Sequence, residues 1–318
     1  MTAIFNQPQF QDADKAREYL EAQVWPNGRI CPHCGVVGEH YVLKGKSNRP
    51  GLYKCADCRE PFTVTVGTVF ERSKIGLHVW LQAVHLMSAS KKGVSAKQLE
   101  RMLGVTYKTA WFMCHRIREA MTAAPSKMLG GPGSSGIVEA DETYWGRAAD
   151  EEGIRYPKGI KRGAANKMKI VTLVERDGDK RSFHVANVNA QTLAPILKAQ
   201  VAKTARLMTD EASYYKKPGA HFASHQSVNH SKEEYARGDV TSNTAESSFA
   251  ILKRGLVGTF HSVSEQHLQR YCNEFDFRWN YRQSQGFSDT ARANMALIGI
   301  TGKRLTYRRT HAPVFAFQ

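Results

Sequence analysis

The stretch Ile137-Val138-Glu139-Ala140-Asp141 reads as a β-strand that carries an acid at its end, and two later stretches answer it. A second apolar run, Ala205-Arg206-Leu207-Met208-Thr209-Asp210, also finishes on a carboxylate. Asn243-Thr244-Ala245-Glu246-Ser247-Ser248-Phe249-Ala250-Ile251-Leu252-Lys253 opens a helix with Glu246 on it, and 35 residues lie between Asp210 and Glu246. Two carboxylates at strand ends and a third on a later helix can converge on two divalent cations, the arrangement that phosphodiester chemistry requires. Lys253 falls seven positions after Glu246, nearly two helical turns, so an ammonium and a carboxylate share one helix face. Each cluster has neighbours that compete for the role. Glu139 shares a strand face with Asp141, Glu142 adjoins it, Glu211 adjoins Asp210, and Asn243 could add an oxygen ligand one turn before Glu246. His225 and His230 follow Asp210, and a lone histidine is more often a surface or core residue than a catalyst.

Around these acids the pattern predicts strands at 137–144, 168–175 and 181–188, a helix at about 190–202, a strand at 205–209, and helices at about 243–254 and 264–282. Strands first, then mainly helices, make an α/β plan. The loop from Trp145 to Lys169 is long and basic, with Arg155, Lys158, Lys161 and Arg162 among its charges. A loop of that length in a compact domain is usually functional or disordered, and DNA contact suits its charge. Upstream, residues 125–136, rich in Gly, Pro and Ser, read as a linker. Residues 11–23 predict a short amphipathic helix and 74–122 a helical region.

Lys and Arg number 45 against 29 acids, a formal charge of +16 over 318 residues. That surplus suits a polyanion, because neutralising phosphates releases counterions. No apolar stretch approaches the ~20 residues needed to span a bilayer, and residues 1–10 lack the pattern of a secretory signal. Four of the six cysteines fall into two pairs, Cys31-Pro32-His33-Cys34 and Cys55-Ala56-Asp57-Cys58. In a reducing cytoplasm this is metal-binding usage, and four thiolates predict a structural zinc ion in a module spanning 25–70. A rubredoxin-like iron site and a redox Cys-x-x-Cys are the competing readings. The module is expected to close with Phe62-Thr63-Val64-Thr65-Val66 as a strand.

Between this module and the linker, residues 92–111 have the makings of a helix-turn-helix. Ser95 can cap a first helix with Gln98 completing a capping box, and Gly104 can end it. Thr106 then caps a second helix whose start offers Tyr107, Lys108 and Thr109 to a DNA groove. Ala110, Met113, Cys114 and Ile117 would be its buried face. An ordinary helical hairpin is the plainer alternative.

Asp141, Asp210, Glu246 and Lys253, behind a zinc ribbon and a helix-turn-helix, resemble a bacterial insertion-sequence transposase of the DDE, RNase H-like superfamily. More narrowly, the chain resembles the group with an N-terminal zinc ribbon and an Asn-x-x-Glu-x6-Lys third motif. The resemblance implies a multidomain α/β protein: an N-terminal helical segment (1–24), the zinc ribbon (25–70), a helix-turn-helix segment (71–124), the linker (125–136), an RNase H-like mixed-sheet catalytic domain with helices on both faces (137–285) and a basic tail (286–318). It also implies two Mg²⁺ or Mn²⁺ ions between Asp141, Asp210 and Glu246, with Lys253 on a phosphate. The reaction implied is hydrolysis that frees a transposon 3′ end, then attack of that hydroxyl on target DNA. The implied partners are terminal inverted repeats and target DNA, bound by a homo-oligomer in the bacterial cytoplasm at the nucleoid, with no membrane. Two alternatives stay open: a DNA-binding regulator without catalysis, and a nuclease on the same fold without strand transfer.

Overall fold

The computed structural model describes residues 3–45, 47–122, 127–146 and 166–306. The chain divides into two compact units, Met1–Thr122 together with Phe287–Gln318, and Ala123–Gly286. No helix among the described residues is long and apolar enough to cross a membrane.

In the first unit, α1 (Ala13–Val24) starts at Asp12, whose carboxylate accepts the N–H groups of Asp14 and Lys15. The cysteine module is a three-stranded antiparallel ribbon, β1 (His40–Val42), β2 (Tyr53–Cys55) and β3 (Pro61–Phe62), in that order. The strand expected over 62–66 stops at Phe62. Thr63 accepts the N–H of Val66 on its carbonyl, and its hydroxyl bonds that of Thr65, so side chains and backbone fold the segment into turns that Gly67 continues at φ +71°. Three helices follow, α2 (Leu77–Ala89), α3 (Ala96–Leu103) and α4 (Tyr107–Ala120). The expected caps are in place: Ser95 Oγ accepts from Gln98 N–H, Gly104 turns left-handed at φ +64°, and Thr106 Oγ1 accepts from Thr109 N–H. Ala110, Met113, Cys114 and Ile117 are all buried.

The second unit is built on a five-stranded mixed sheet of β4 (Ile137–Trp145), β5 (Met168–Glu175), β6 (Lys180–Val185), β7 (Arg206–Thr209) and β8 (Ser224–Ser227). Its order is β6-β5-β4-β7-β8, with β4–β5 and β5–β6 antiparallel and β4–β7 and β7–β8 parallel. A meander followed by two parallel strands is the RNase H-like plan expected. The alternation of β4 splits the core in two. Val138 and Ala140 join Val171, Leu173 and Leu207 against Leu193 and Leu197 of α5 (Ala190–Gln200), beside Tyr215 and the single-turn α6 (Lys216–Gly219). On the opposite face, Met168 and Ile170 meet Phe249 and Leu252 of α7 (Asn243–Gly255) and Leu268 and Phe275 of α8 (Glu265–Asn280). Sequence patterning missed β8, since Ser224-His225-Gln226-Ser227 carries no apolar alternation and gains its place only by pairing with β7.

Two stretches are more integrated than expected. In the expected linker, Leu129 is fully buried and bridges Val201, while Gly130 donates its N–H to the buried Glu175 Oε1 at 2.7 Å. Gly130 sits at φ +70°, where a Cβ would come within 2.5 Å of Ala205 Cβ, so glycine alone fits. In the expected tail, α9 (Asp289–Ile298) is capped by Ser288 and belongs to the first unit, burying Ala293, Ala296 and Leu297. Polar residues between its apolar ones concealed it.

Candidate active site and metal centre

The ribbon brings its four cysteines together. Cys31 Sγ lies 3.6 Å from Cys58 Sγ and Cys34 Sγ 3.7 Å from Cys55 Sγ, and all four sulfurs fall within 4.8 Å of one another. Sulfurs at about 2.3 Å from a tetrahedral zinc stand about 3.8 Å apart, so the thiols are spaced for one such ion. The backbone N–H groups of Cys58 and then Asp57 hold the Cys55 thiol below its ordinary range, against the opposing effect of desolvation. Tyr53, Phe62 and Trp25 pack around the cluster, and His33 points outward, exposed.

Of the first two acids, both expected at strand ends, Asp210 follows the end of β7 while Asp141 is the middle residue of β4, which continues to Trp145. β4 and β7 pair in parallel with Glu139 opposite Met208. That is the last pair of the ladder, but continuing its register by one strand repeat points Asp141 and Asp210 to the same side, and the two carboxylates are close enough for the Asp210 charge to act on Asp141. Burial first, then the charges of Glu142, Asp210 and Glu246, push the Asp141 carboxyl up to about 7. Asp210 is also raised by burial, partly offset by the N–H of Ala212, which donates to its Oδ1 at 3.1 Å, and by His230. Glu246 lies on the exposed side of the first turn of α7, and Lys253 is exposed on the same helix. Asn243 is the exposed first residue of that helix. Among the described residues, the cysteines alone form a group of three or more whose ligand atoms all lie within 4.8 Å of one another. The acids therefore face a shared space without closing on a single point.

The neighbouring acids have other occupations. Glu142 points to the opposite face of the sheet, where the hydroxyls of Tyr214 and Tyr215 both donate to it. Glu211 is held down to about 2, chiefly by the Ser231 hydroxyl, with the N–H groups of His230 and Ser231 also bonded to it. Glu139 is fully buried and spent on the start of α7. Of the two histidines weighed as more often surface or core residues, one comes forward: His230 Nε2 stands 3.6 Å from Glu246 Oε1 and 3.3 Å from Ser242 Oγ. Nothing in its spacing announces this, because the loop after β8 carries it back to the site. His225 is instead bonded to Thr209 Oγ1 through Nε2 at 3.0 Å and depressed by burial.

On the first unit, Tyr107 and Lys108 are exposed at the start of α4, with Thr109 half-buried behind them. The Lys97 ammonium lies 5.0 Å above the Tyr107 ring, so the tyrosine is held from α3. Arg155, Lys158, Lys161 and Arg162 lie outside the described residues.

The sequence matches known proteins along most of its length. Residues 134–280 match the ISXO2-like transposase domain and residues 11–60 the transposase zinc-ribbon domain. An uncharacterized protein in transposable element ISH50 of Halobacterium salinarum is 31% identical over 273 residues, covering 81% of this chain and 88% of that protein. Among solved structures, the Drosophila P element transposase strand transfer complex is similar at 9% identity and a TM-score of 0.29, over 67% of this chain and 59% of that one, less than two thirds of its length. The Mos1 strand transfer complex is similar at 11% identity and a TM-score of 0.20, over 63% of this chain and 76% of that one. Likenesses this distant decide nothing about chemistry. The ribbon, the mixed sheet and the matched sequence agree on one lineage: the chain belongs to the ISXO2-like family of insertion-sequence transposases.

Proposed function

We propose that the chain cuts and rejoins DNA at the ends of its own element, using a DDE site of Asp141, Asp210 and Glu246. The observation that supports this reading is the parallel register of β4 and β7, which, continued past Glu139 and Met208, points Asp141 and Asp210 to the face that α7 covers. Three carboxylates facing one space, one of them pushed up to about 7, leave a surplus of negative charge that divalent cations would neutralise. Two ions about 3.5–4 Å apart need donors spread wider than a single coordination sphere, as these acids are. Mg²⁺ or Mn²⁺ bound there would supply Lewis-acid activation of the attacking oxygen and stabilise the leaving one. Lys253 would hold a phosphate oxygen from the Glu246 face, and His230 would orient the Glu246 carboxylate. Asn243, at the N-terminus of α7, could add an oxygen ligand.

The ribbon holds a structural zinc ion through Cys31, Cys34, Cys55 and Cys58. Tyr107, Lys108 and Thr109 on α4 read the terminal repeats, and Arg155, Lys158, Lys161 and Arg162 grip the backbone of the same DNA or of the target. Assembly as a homo-oligomer would hold two ends together.

The deciding experiment is a cleavage and joining assay on a labelled duplex carrying the element's end, with a second duplex as target. Asp210→Asn should bind the end as the wild type does and yield neither nicked nor joined product in Mg²⁺, because an amide lacks the charge to hold the ion. Near-normal cleavage by that variant would remove Asp210 from the site. Cleavage by the wild-type protein without joining would leave a nuclease rather than a transposase.

A further inference from the structure

Glu139 lies one strand repeat before Asp141, fully buried, on the same face of β4. A carboxylate there invites reading as one more metal ligand. Its bonding excludes that. Oε2 accepts the backbone N–H groups of Thr244 at 2.8 Å and Ala245 at 3.1 Å. Oε1 accepts the Thr244 hydroxyl at 2.9 Å and the Arg176 guanidinium at 2.7 Å through Nη2 and 3.2 Å through Nε. A carboxylate offers about four lone-pair sites, and five donors already share them. Nothing remains for a cation.

Those two backbone N–H groups are the second and third of α7, donors that a helix leaves unsatisfied and normally gives to a local cap. Here the residue before the helix, Ser242, makes no side-chain capping bond. The cap arrives from a strand about a hundred residues earlier in the chain. Its negative charge sits at the positive end of the helix, where the macrodipole favours it. Arg176 extends the tie: besides Glu139 it bonds the Asp239 carbonyl at 2.9 Å and the Met208 sulfur at 3.3 Å, and its own N–H donates to Ile137 O. Met208 is two residues before Asp210, Glu139 two before Asp141, and Ala245 one before Glu246. The same pair of side chains thus touches all three acid-bearing elements next to their acids.

We propose that Glu139, braced by Arg176, is a positioning residue that sets the Glu246 helix against the Asp141 and Asp210 strands and so tunes cation binding without contacting the cation. This role rests on the DDE reading of Asp141, Asp210 and Glu246. The capping bonds fix where α7 begins, and Glu246 follows from it in helical register. Replacing the charge with an amide would also aim an NH₂ group at one of the donors, loosening the helix start while leaving the sheet intact.

The test is Mn²⁺ binding to the full chain, followed by the electron paramagnetic resonance of free Mn²⁺, alongside Mn²⁺-dependent cleavage of the end duplex. Supporting partners of metal ligands are commonly worth about ten- to a hundredfold in affinity. Glu139→Gln should raise the Mn²⁺ concentration for half-saturation about tenfold, with cleavage partly regained at saturating Mn²⁺. Thr244→Ala removes only the hydroxyl donor, keeps the backbone ones, and should move both curves less in the same direction. That variant stands in if Glu139→Gln does not fold. A Mn²⁺ curve unchanged in Glu139→Gln beside a lowered melting temperature, or unchanged in Thr244→Ala when Glu139→Gln fails to fold, would make the contact a structural one only and overturn the proposal. Complete loss of binding in folded Glu139→Gln would make Glu139 a ligand and overturn it equally. Asp141→Asn separates the two readings: if it binds Mn²⁺ as the wild type does, the DDE site itself is wrong, whatever Glu139 does.

Discussion

At the scale of single residues, Lys253 is where the proposed chemistry is most exposed to error. It lies exposed on the face of α7 that carries Glu246. If it holds a phosphate oxygen, Lys253→Ala should slow cleavage by ~10²-fold, the usual loss of one electrostatic donor, with little change in Mn²⁺ binding. Lys253→Arg should recover only part of the rate, since a planar fork replaces a compact point charge. A time course in which all three proteins cleave alike would return Lys253 to the solvated surface. Its placement was legible because a seven-residue interval in a helix means a shared face whatever surrounds it. Asp210 was legible too, because it closes an apolar run and follows the end of β7, whereas Asp141, expected at a strand end, lies in the middle of β4 because the strand continues through Thr143 to Trp145. What the sequence could not sort was which acid in each cluster is free. Glu139, Asp141 and Glu142 are indistinguishable on paper. They separate only once β4 alternates them between two faces and Arg176, Tyr214 and Tyr215 claim two of the three. His230 could not be told from His225 for a related reason, since its partner Glu246 is supplied by the return of the chain after β8.

At the scale of elements, local signals were readable and pairing was not. Ser95, Gly104 and Thr106 announced both ends of the α3–α4 turn because caps and left-handed glycines act within a few residues. β8 is polar and exists through its neighbour, and the run after Phe62 looked like a strand until its threonines bonded one another. The α3–α4 pair makes its own prediction. Tyr107 and Lys108 project from the first turn of α4, where a recognition helix meets base edges and flanking phosphates. Replacing both with Ala should weaken binding to the element's end far more than binding to random duplex, measured by competition at fixed salt. Equal losses on both DNAs would reduce α4 to a phosphate contact.

At the scale of the whole molecule, chain order and unit composition do not coincide. The ribbon and helices α1–α4 form one unit with α9, which follows the RNase H-like unit in sequence. Helix α9 buries Ala293, Ala296 and Leu297, its Arg292 donates to the Ser88 carbonyl of α2 at 3.1 Å, and the Tyr19 hydroxyl of α1 donates to Asn294 at 2.6 Å. Burying one leucine side chain is worth about 1.5–3 kcal/mol, and small domains are stable by only about 5–15 kcal/mol in all. A fragment of residues 1–122 should therefore keep its cysteine-bound zinc, because the ribbon's four ligands are local, yet lose a cooperative thermal transition in its helices. Joining residues 287–306 to that fragment through a Gly/Ser linker should restore the transition. Zinc content by metal analysis and helix melting by far-ultraviolet circular dichroism read the two expectations separately. A fragment of 1–122 that melts as sharply, and at the same temperature, as its α9-joined counterpart would show that α9 adds nothing. The ribbon and helices α1–α4 would then be a domain that folds from the N-terminal sequence alone.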